Sequence, residues 1–197
     1  MSLDSDLIRL IKPQSLPNKK YGEKKFDLKN LIQELRFDHM GIAGTDRNWF
    51  ILPEEDIIPQ QFRGHFQSGD HNTTSSHNTH SKTIGTFQVR GTTSMSTKSL
   101  SCEIFKQVRY PLVLGGFIWQ RFRGKGGHNP RITTFYIPCK LVNGKGSTYM
   151  QHLTRFNKIN RDICPRQAML DDIITEAFKW KVYEYQIIIM VEINVYV

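Results

Sequence analysis

Acidic side chains are scarce in this 197-residue chain: 18 Asp and Glu stand against 27 Lys and Arg, for a formal net charge of +9 at pH 7. That excess favours a polyanionic partner, nucleic acid first. Cysteine is scarcer still. Cys102, Cys139 and Cys164 are odd in number, far apart and without a CxxC pair, which excludes a zinc ribbon and fits a reducing compartment. Long apolar runs are missing as well. No segment approaches the ~20 apolar residues of a membrane span, and Met1 to Asp6 lack the charged start and apolar core of a secretory signal. The expectation is an intracellular protein, nuclear or cytoplasmic, with no membrane partner. A serine or cysteine hydrolase is disfavoured by the lack of a GxSxG elbow or a local Cys-His signature.

What is present suffices for one core. Hydrophobic residues make up 39% and aromatics 11% of the chain, enough for a globular fold. Residues 1–25 read as a basic, irregular segment, broken by Pro13 and Pro17 and charged at Lys19-Lys20 and Lys24-Lys25. Residues 26–197 read as one domain. Leu28, Leu31, Ile32 and Leu35 recur at helical spacing behind Asp27 as N-cap. A short strand over 38–43 follows, then a polar loop, Gly44 to Trp49. The Ser, Thr, Asn, Asp and His tract over 67–83 reads as a solvated loop. Strand-like pieces come next: Ile84 to Val89, Phe117 to Arg123, and Arg131 to Ile137. The last two are joined by a hairpin connection over Gly124 to Pro130. Helices are expected over 148–158 and from Pro165, a favoured first helical position, through Leu170, Ile173, Ile174, Ala177 and Phe178 to about Trp180. The β-branched run from Ile187 to Val197 reads as a buried central strand. Helices alternating with strands at both ends, and hairpins between, predict a mixed α/β sandwich.

Several residue groups carry chemistry. Glu192 and Asn194 lie two apart on the final strand and therefore share a face. A carboxylate beside a carboxamide at a sheet's edge suits a site handling a metal ion or a phosphodiester, although an ordinary polar strand end has the same pattern. Trp119, Arg121 and Arg123 share a strand face, with Lys125 in the adjoining turn. Guanidinium groups so spaced can track phosphates; the competing reading is a plain exposed face in a basic protein. His65, His71, His77 and His80 match no zinc spacing. The turns at Gly124-Lys125-Gly126-Gly127 and Gly144-Lys145-Gly146-Ser147 lack the GxxxxGK[ST] spacing of a phosphate loop.

Taken in order, three segments resemble the endonuclease/exonuclease/phosphatase superfamily, whose fold is the deoxyribonuclease I-like sandwich. Within it they are similar to the apurinic-type endonuclease domains of non-LTR retrotransposons and related mobile elements. Leu35 to Trp49 looks like the strand and loop of the GL-x-E-T-N-x-x-W segment. Arg131-Ile132-Thr133-Thr134-Phe135-Tyr136-Ile137-Pro138 is similar to R-x-x-S-A-Y-x-P. Pro165-Arg166-Gln167-Ala168 through Trp180 to Glu192-Ile193-Asn194 looks like PR-x-A-F…D-L…W…I-I-x-x-D-x-N. Gly91-Thr92-Thr93-Ser94, taken as a turn, is a shorter linking match.

The resemblance implies Mg²⁺-assisted hydrolysis of nucleic-acid phosphodiesters, DNA ahead of RNA, with no small-molecule cofactor, on a sandwich left incomplete at its C-terminus. It assigns Tyr136 to steadying the phosphate, Asn194 to the amide of the Asp-x-Asn pair and Glu192 to its acid. Glu192 is one methylene longer than the aspartate it replaces, and a displacement of about 1 Å in a catalytic group can cost ~100-fold. Gly44 stands where the metal-binding glutamate belongs, and Lys12 where an N-terminal asparagine belongs. The C-terminal histidine segment has no counterpart. Gln33-Glu34 imitates a family dipeptide too early in the chain. Asp46, two residues past Gly44, is the expected substitute that joins Glu192 at the metal. These losses imply a weakened or inactive nuclease. The alternatives are a non-catalytic nucleic-acid-binding remnant, using Arg121, Arg123 and Lys125, and a decayed mobile-element reading frame.

Overall fold

The computed structural model describes residues 8–11, 30, 34, 37–43, 60, 62, 71–76, 91–109, 116–140, 147–182 and 186–193. Strands β1 (Ile8–Ile11), β2 (His39–Ala43), β3 (His71–Ser76) and β4 (Thr92–Thr97) form one four-stranded sheet in the order β1-β2-β4-β3. A short helix α1 (Lys98–Cys102) leads into the second sheet. That sheet comprises β5 (Ile104–Arg109), β6 (Phe117–Phe122), β7 (Arg131–Ile137) and β8 (Ile187–Ile193), in sequence order. Helices α2 (Thr148–Lys158) and α3 (Pro165–Lys181) fill the connection between β7 and β8. The expected α/β two-sheet sandwich with accompanying helices is therefore present.

Local chemistry explains most boundaries. The Ser147 side chain accepts from the Met150 N–H and caps α2, and Pro165 opens α3, where its missing N–H costs nothing. Antiparallel β6 and β7 are joined by a tight turn at Lys125–Gly127. A Cβ added at Gly124 would lie 1.6 Å from the His128 carbonyl oxygen, so only glycine closes this hairpin. Of the expected helix over Leu28 to Leu35, Asn30 and Glu34 are helical and the rest lies outside the described residues, as does Ile84 to Val89.

The two faces of the second sheet serve different neighbours. Its outer face carries Phe117, Trp119, Phe135 and Ile137, packed with Met169, Ile173 and Trp180 of α3. The Trp119 and Trp180 rings meet at 5.5 Å, and Arg131 lies 4.6 Å and 5.0 Å from their centroids, a buried cation between two indoles. The inner face places Phe122, Ile132 and Met190 against Leu100.

The seam between the sheets is polar along much of its length. Gln120 Oε1 accepts from Ser94 Oγ at 2.9 Å and Ser96 Oγ at 3.3 Å, across from one sheet to the other. His39, fully buried, has Nδ1 2.8 Å from Ser96 Oγ and Nε2 3.1 Å from Ser94 Oγ. Thr74 donates to Gln107 of β5; on the opposite face of the first sheet, Ser75 Oγ lies 2.7 Å from Thr93 Oγ1. Beside this network the sheets close tightly at Gly41. A Cβ there would stand 2.6 Å from Thr134 Oγ1 and 2.8 Å from Met190 Cε.

Three expectations change. The polar loop over 67–83 contains a strand, β3, paired along its length with β4. The Gly91-Thr92-Thr93-Ser94 turn is the start of β4. Both strands lack the apolar alternation that marks a strand, because their inward hydroxyls hydrogen-bond across the seam instead of filling an apolar core. The final run was expected to be a central strand, but β8 pairs only with β7 among the described residues and Ile189 is 47% exposed. Helix α3 turns only part of its apolar surface to the sheet: Ile174 and Phe178 are 48% and 64% exposed.

Two outcomes follow. Gly41→Val should overpack the seam at a cost of ~1–3 kcal/mol, read as a lowered thermal midpoint; an unchanged midpoint would show that the sheets do not approach this closely. Burial lowers the pKa of His39 to about 3 from the ordinary 6.5. The unfolded chain therefore takes up a proton below pH 6.5 that the folded chain refuses until about pH 3. Stability present above that window is lost as pH falls through it, by about 1.4 kcal/mol per pH unit. Denaturant titrations at pH 7 and pH 4 should show a steeper acid loss in the parent than in His39→Gln; equal losses would remove His39 as the cause.

Candidate functional site

Register brings the candidate residues of β7 and β8 together. The two strands are parallel, and Tyr136 is the direct partner of Glu192, so both side chains leave the sheet on one face. Two residues earlier on that face stand Thr134 and Met190, the pair that Gly41 approaches from the other sheet. Tyr136 and Glu192 therefore face the seam. Their end of the sandwich is identifiable too. The His39 ring meets the Phe122 ring edge-on at 5.8 Å, and the Phe122 N–H donates to Pro130 just before β7 begins. Moving from His39 to Gly41 along β2 thus matches moving from Pro130 to Thr134 along β7. The strands run in the same sense, and β1 is parallel to β2 and lies against β8. The C-terminal ends of β1, β2, β7 and β8 consequently gather at one edge, with Ala43, Tyr136 and Glu192 on the facing surfaces.

Tyr136 is 7% exposed, and its backbone N–H donates to Gly116 O at 3.0 Å, holding the strand end in place. Glu192 is half-buried, with both carboxylate oxygens shielded from solvent. Asn194, Asp46, Gly44 and Lys12 lie outside the described residues. No group of three or more His, Cys, Asp or Glu that could hold a metal ion occurs among the described residues. Mg²⁺ commonly takes one or two protein carboxylates and fills its remaining positions with water and phosphate oxygens. Among the described residues one carboxylate, Glu192, stands at this edge, and it fits such a partial site.

The other candidate group lies elsewhere. Arg121 is the register partner of Arg131, five residues before Tyr136 on β7, which puts the two groups about 16 Å apart along the strand. They also occupy opposite faces. Trp119 is buried against Trp180, Arg121 is half-buried with its guanidinium 4.6 Å from the Phe105 centroid, and Arg123 and Lys125 are exposed. Of the four histidines in the polar tract, His71 is in β3 and the others lie outside the described residues.

The sequence reading missed His39 and its hydroxyl partners. No alternation marked them: Thr92, Ser94 and Ser96 face His39, Gly41 and Ala43 on the neighbouring strand, but Thr93 and Thr97 are polar as well. The three cysteines are free. Burial pushes the Cys164 thiol up, but the Gln167 and Arg166 backbone N–H groups, the Tyr149 hydroxyl and Lys140 together hold it below its ordinary value. No helix among the described residues is long and apolar enough to cross a membrane.

No protein-family model matches the chain, and no curated protein matches it. Solved structures do show similarity. The human Nocturnin catalytic domain with bound sulfate is 13% identical, with a TM-score of 0.41, over 72% of this chain and 53% of that one. An endonuclease/exonuclease/phosphatase family protein from Leptotrichia buccalis C-1013-b is 12% identical, with a TM-score of 0.44, over 76% of this chain and 61% of that one. D. rerio TDP2, complexed with a single-strand DNA product, is 12% identical, with a TM-score of 0.44, over 79% of this chain and 55% of that one. The chain spans between 53% and 61% of the length of these structures.

Proposed function

We propose that this chain is an endonuclease/exonuclease/phosphatase-type domain whose chemistry is hydrolysis of a nucleic-acid phosphodiester, weakened by the residues it has lost. The observation that carries the proposal is the direct pairing of Tyr136 with Glu192 on the seam-facing side of two parallel strand ends. The same two positions match the tyrosine and acid of the resemblance. The retrotransposon branch belongs to this proposal on the strength of the sequence segments alone.

Each residue has a distinct task. Glu192, with Asp46, would hold Mg²⁺, which when bound supplies charge neutralisation at the phosphate and a more acidic water. The Tyr136 hydroxyl donates a hydrogen bond to a non-bridging phosphate oxygen, where negative charge grows as the attacking oxygen approaches. The Asn194 amide orients the water. The long glutamate stem places its carboxylate off the position an aspartate would occupy, and a misplacement of about 1 Å accounts for a loss of ~100-fold.

A second reading, a non-catalytic nucleic-acid-binding remnant, is favoured by the exposure of Arg123 and Lys125 far from the strand ends. The two readings separate in a plasmid-nicking assay. Slow, Mg²⁺-dependent relaxation of supercoiled DNA is expected. It should fall at least ~10-fold in Glu192→Gln and rise in Glu192→Asp, where the stem is shortened. Nicking that survives in Glu192→Ala would sink the catalytic assignment. Salt-dependent binding with no cleavage in the parent or in Glu192→Asp would establish the binding module.

A further inference from the structure

Three cations stand in one row at the far end of the second sheet from Tyr136 and Glu192. Lys106, Arg121 and Arg131 are successive register partners across β5, β6 and β7, so they share the outer face at the ~4.8 Å interstrand spacing. Their surroundings divide their roles. Arg131 is buried between Trp119 and Trp180 and belongs to the core. Arg121 is half-buried and lies over Phe105. Lys106 is exposed on β5, an edge strand among the described residues, and Arg123 and Lys125 are exposed where β6 runs into its hairpin.

Phe105 itself is 40% exposed, at the bulge that interrupts the register between Ile104 and Lys106. A bulge re-aims a side chain that would otherwise alternate with its neighbours. Here it brings an aromatic ring beside the cations. Lys106, Arg123 and Lys125 have no ion pair among the described residues. The acid adjoining the strand, Glu103, meets Arg123 through its backbone, where its carbonyl accepts from the Arg123 N–H at 2.8 Å.

We infer that the corner formed by Phe105, Lys106, Arg121, Arg123 and Lys125 is a docking surface for single-stranded nucleic acid, separate from the phosphodiester edge. A reachable aromatic ring backed by a guanidinium is a stacking platform for a base, and the flanking cations neutralise the adjoining phosphates. A duplex keeps its bases stacked inside and cannot offer one to the ring. The net charge of +9 draws any polyanion to the molecule, but the ring selects one with exposed π-faces. This surface stands whether or not the opposite edge hydrolyses anything.

The test is fluorescence anisotropy of a labelled oligothymidylate with the full chain, in EDTA so that no cleavage intervenes, across a salt series. The combined substitution Lys106→Glu, Arg123→Glu and Lys125→Glu should weaken binding at least ~10-fold and flatten the log–log salt slope by about 2. Phe105→Ala should weaken it roughly five- to a hundred-fold and leave the slope unchanged. Phe105→Leu, which keeps apolar bulk but has no π-face, guards against a packing defect and should lose affinity in the same way. The proposal is overturned if both Phe105 variants bind like the parent, or if the charge reversals leave the salt slope intact. It is equally overturned if a duplex or polyglutamate competes as well as the oligothymidylate.

Discussion

The close approach of the two sheets at Gly41 is the constraint on which the rest of the molecule depends. A strand residue with any side chain there would meet Thr134 and Met190 of the opposite sheet. The approach is narrow because the first sheet turns small groups inward: Gly41 and Ala43 on β2, and Thr92, Ser94 and Ser96 on β4. Such a face has little apolar area to bury. It holds its partner through hydroxyls and His39 gathered around Gln120. A buried polar network of this kind is useful only when its members are satisfied, and the satisfied arrangement fixes one alignment of the sheets.

That alignment has a functional consequence. With β2 and β7 running in the same sense, the C-terminal ends of two parallel strand pairs meet at one edge. Tyr136 and Glu192 then look across the seam and not into solvent on the outer face. The opposite end of the second sheet is organised by a different force. There Arg131 is gripped between two indoles, and neighbouring cations and Phe105 follow outward in register. One sheet therefore separates an acid-and-phenol end from a basic, aromatic end.

Elements with an apolar signature were legible in the sequence. The strands at His39–Ala43, Phe117–Phe122 and Arg131–Ile137 and the helices at Thr148–Lys158 and Pro165–Lys181 fall where patterning and caps place them. β3 and β4 were not legible. Thr74 and Ser75 are buried although nothing in their residue types announces it, because their hydroxyls are matched by Gln107 and Thr93 from distant parts of the chain. The pairing of Tyr136 with Glu192 was half legible: each residue stood out by its motif, but their adjacency is a matter of register.

The sequence by itself determined which segments extend and which coil, and singled out Tyr136 and Glu192 by residue type, since periodicity and residue type act locally. Tertiary structure alone decided that β8 pairs only with β7 among the described residues, that Trp119 turns inward beneath α3 while Arg123 stays exposed, and that a serine-rich stretch is core. Those outcomes rest on hydrogen bonds and close contacts between residues far apart in the chain, such as His39 with Ser96 and Gly41 with Thr134, which no local pattern encodes.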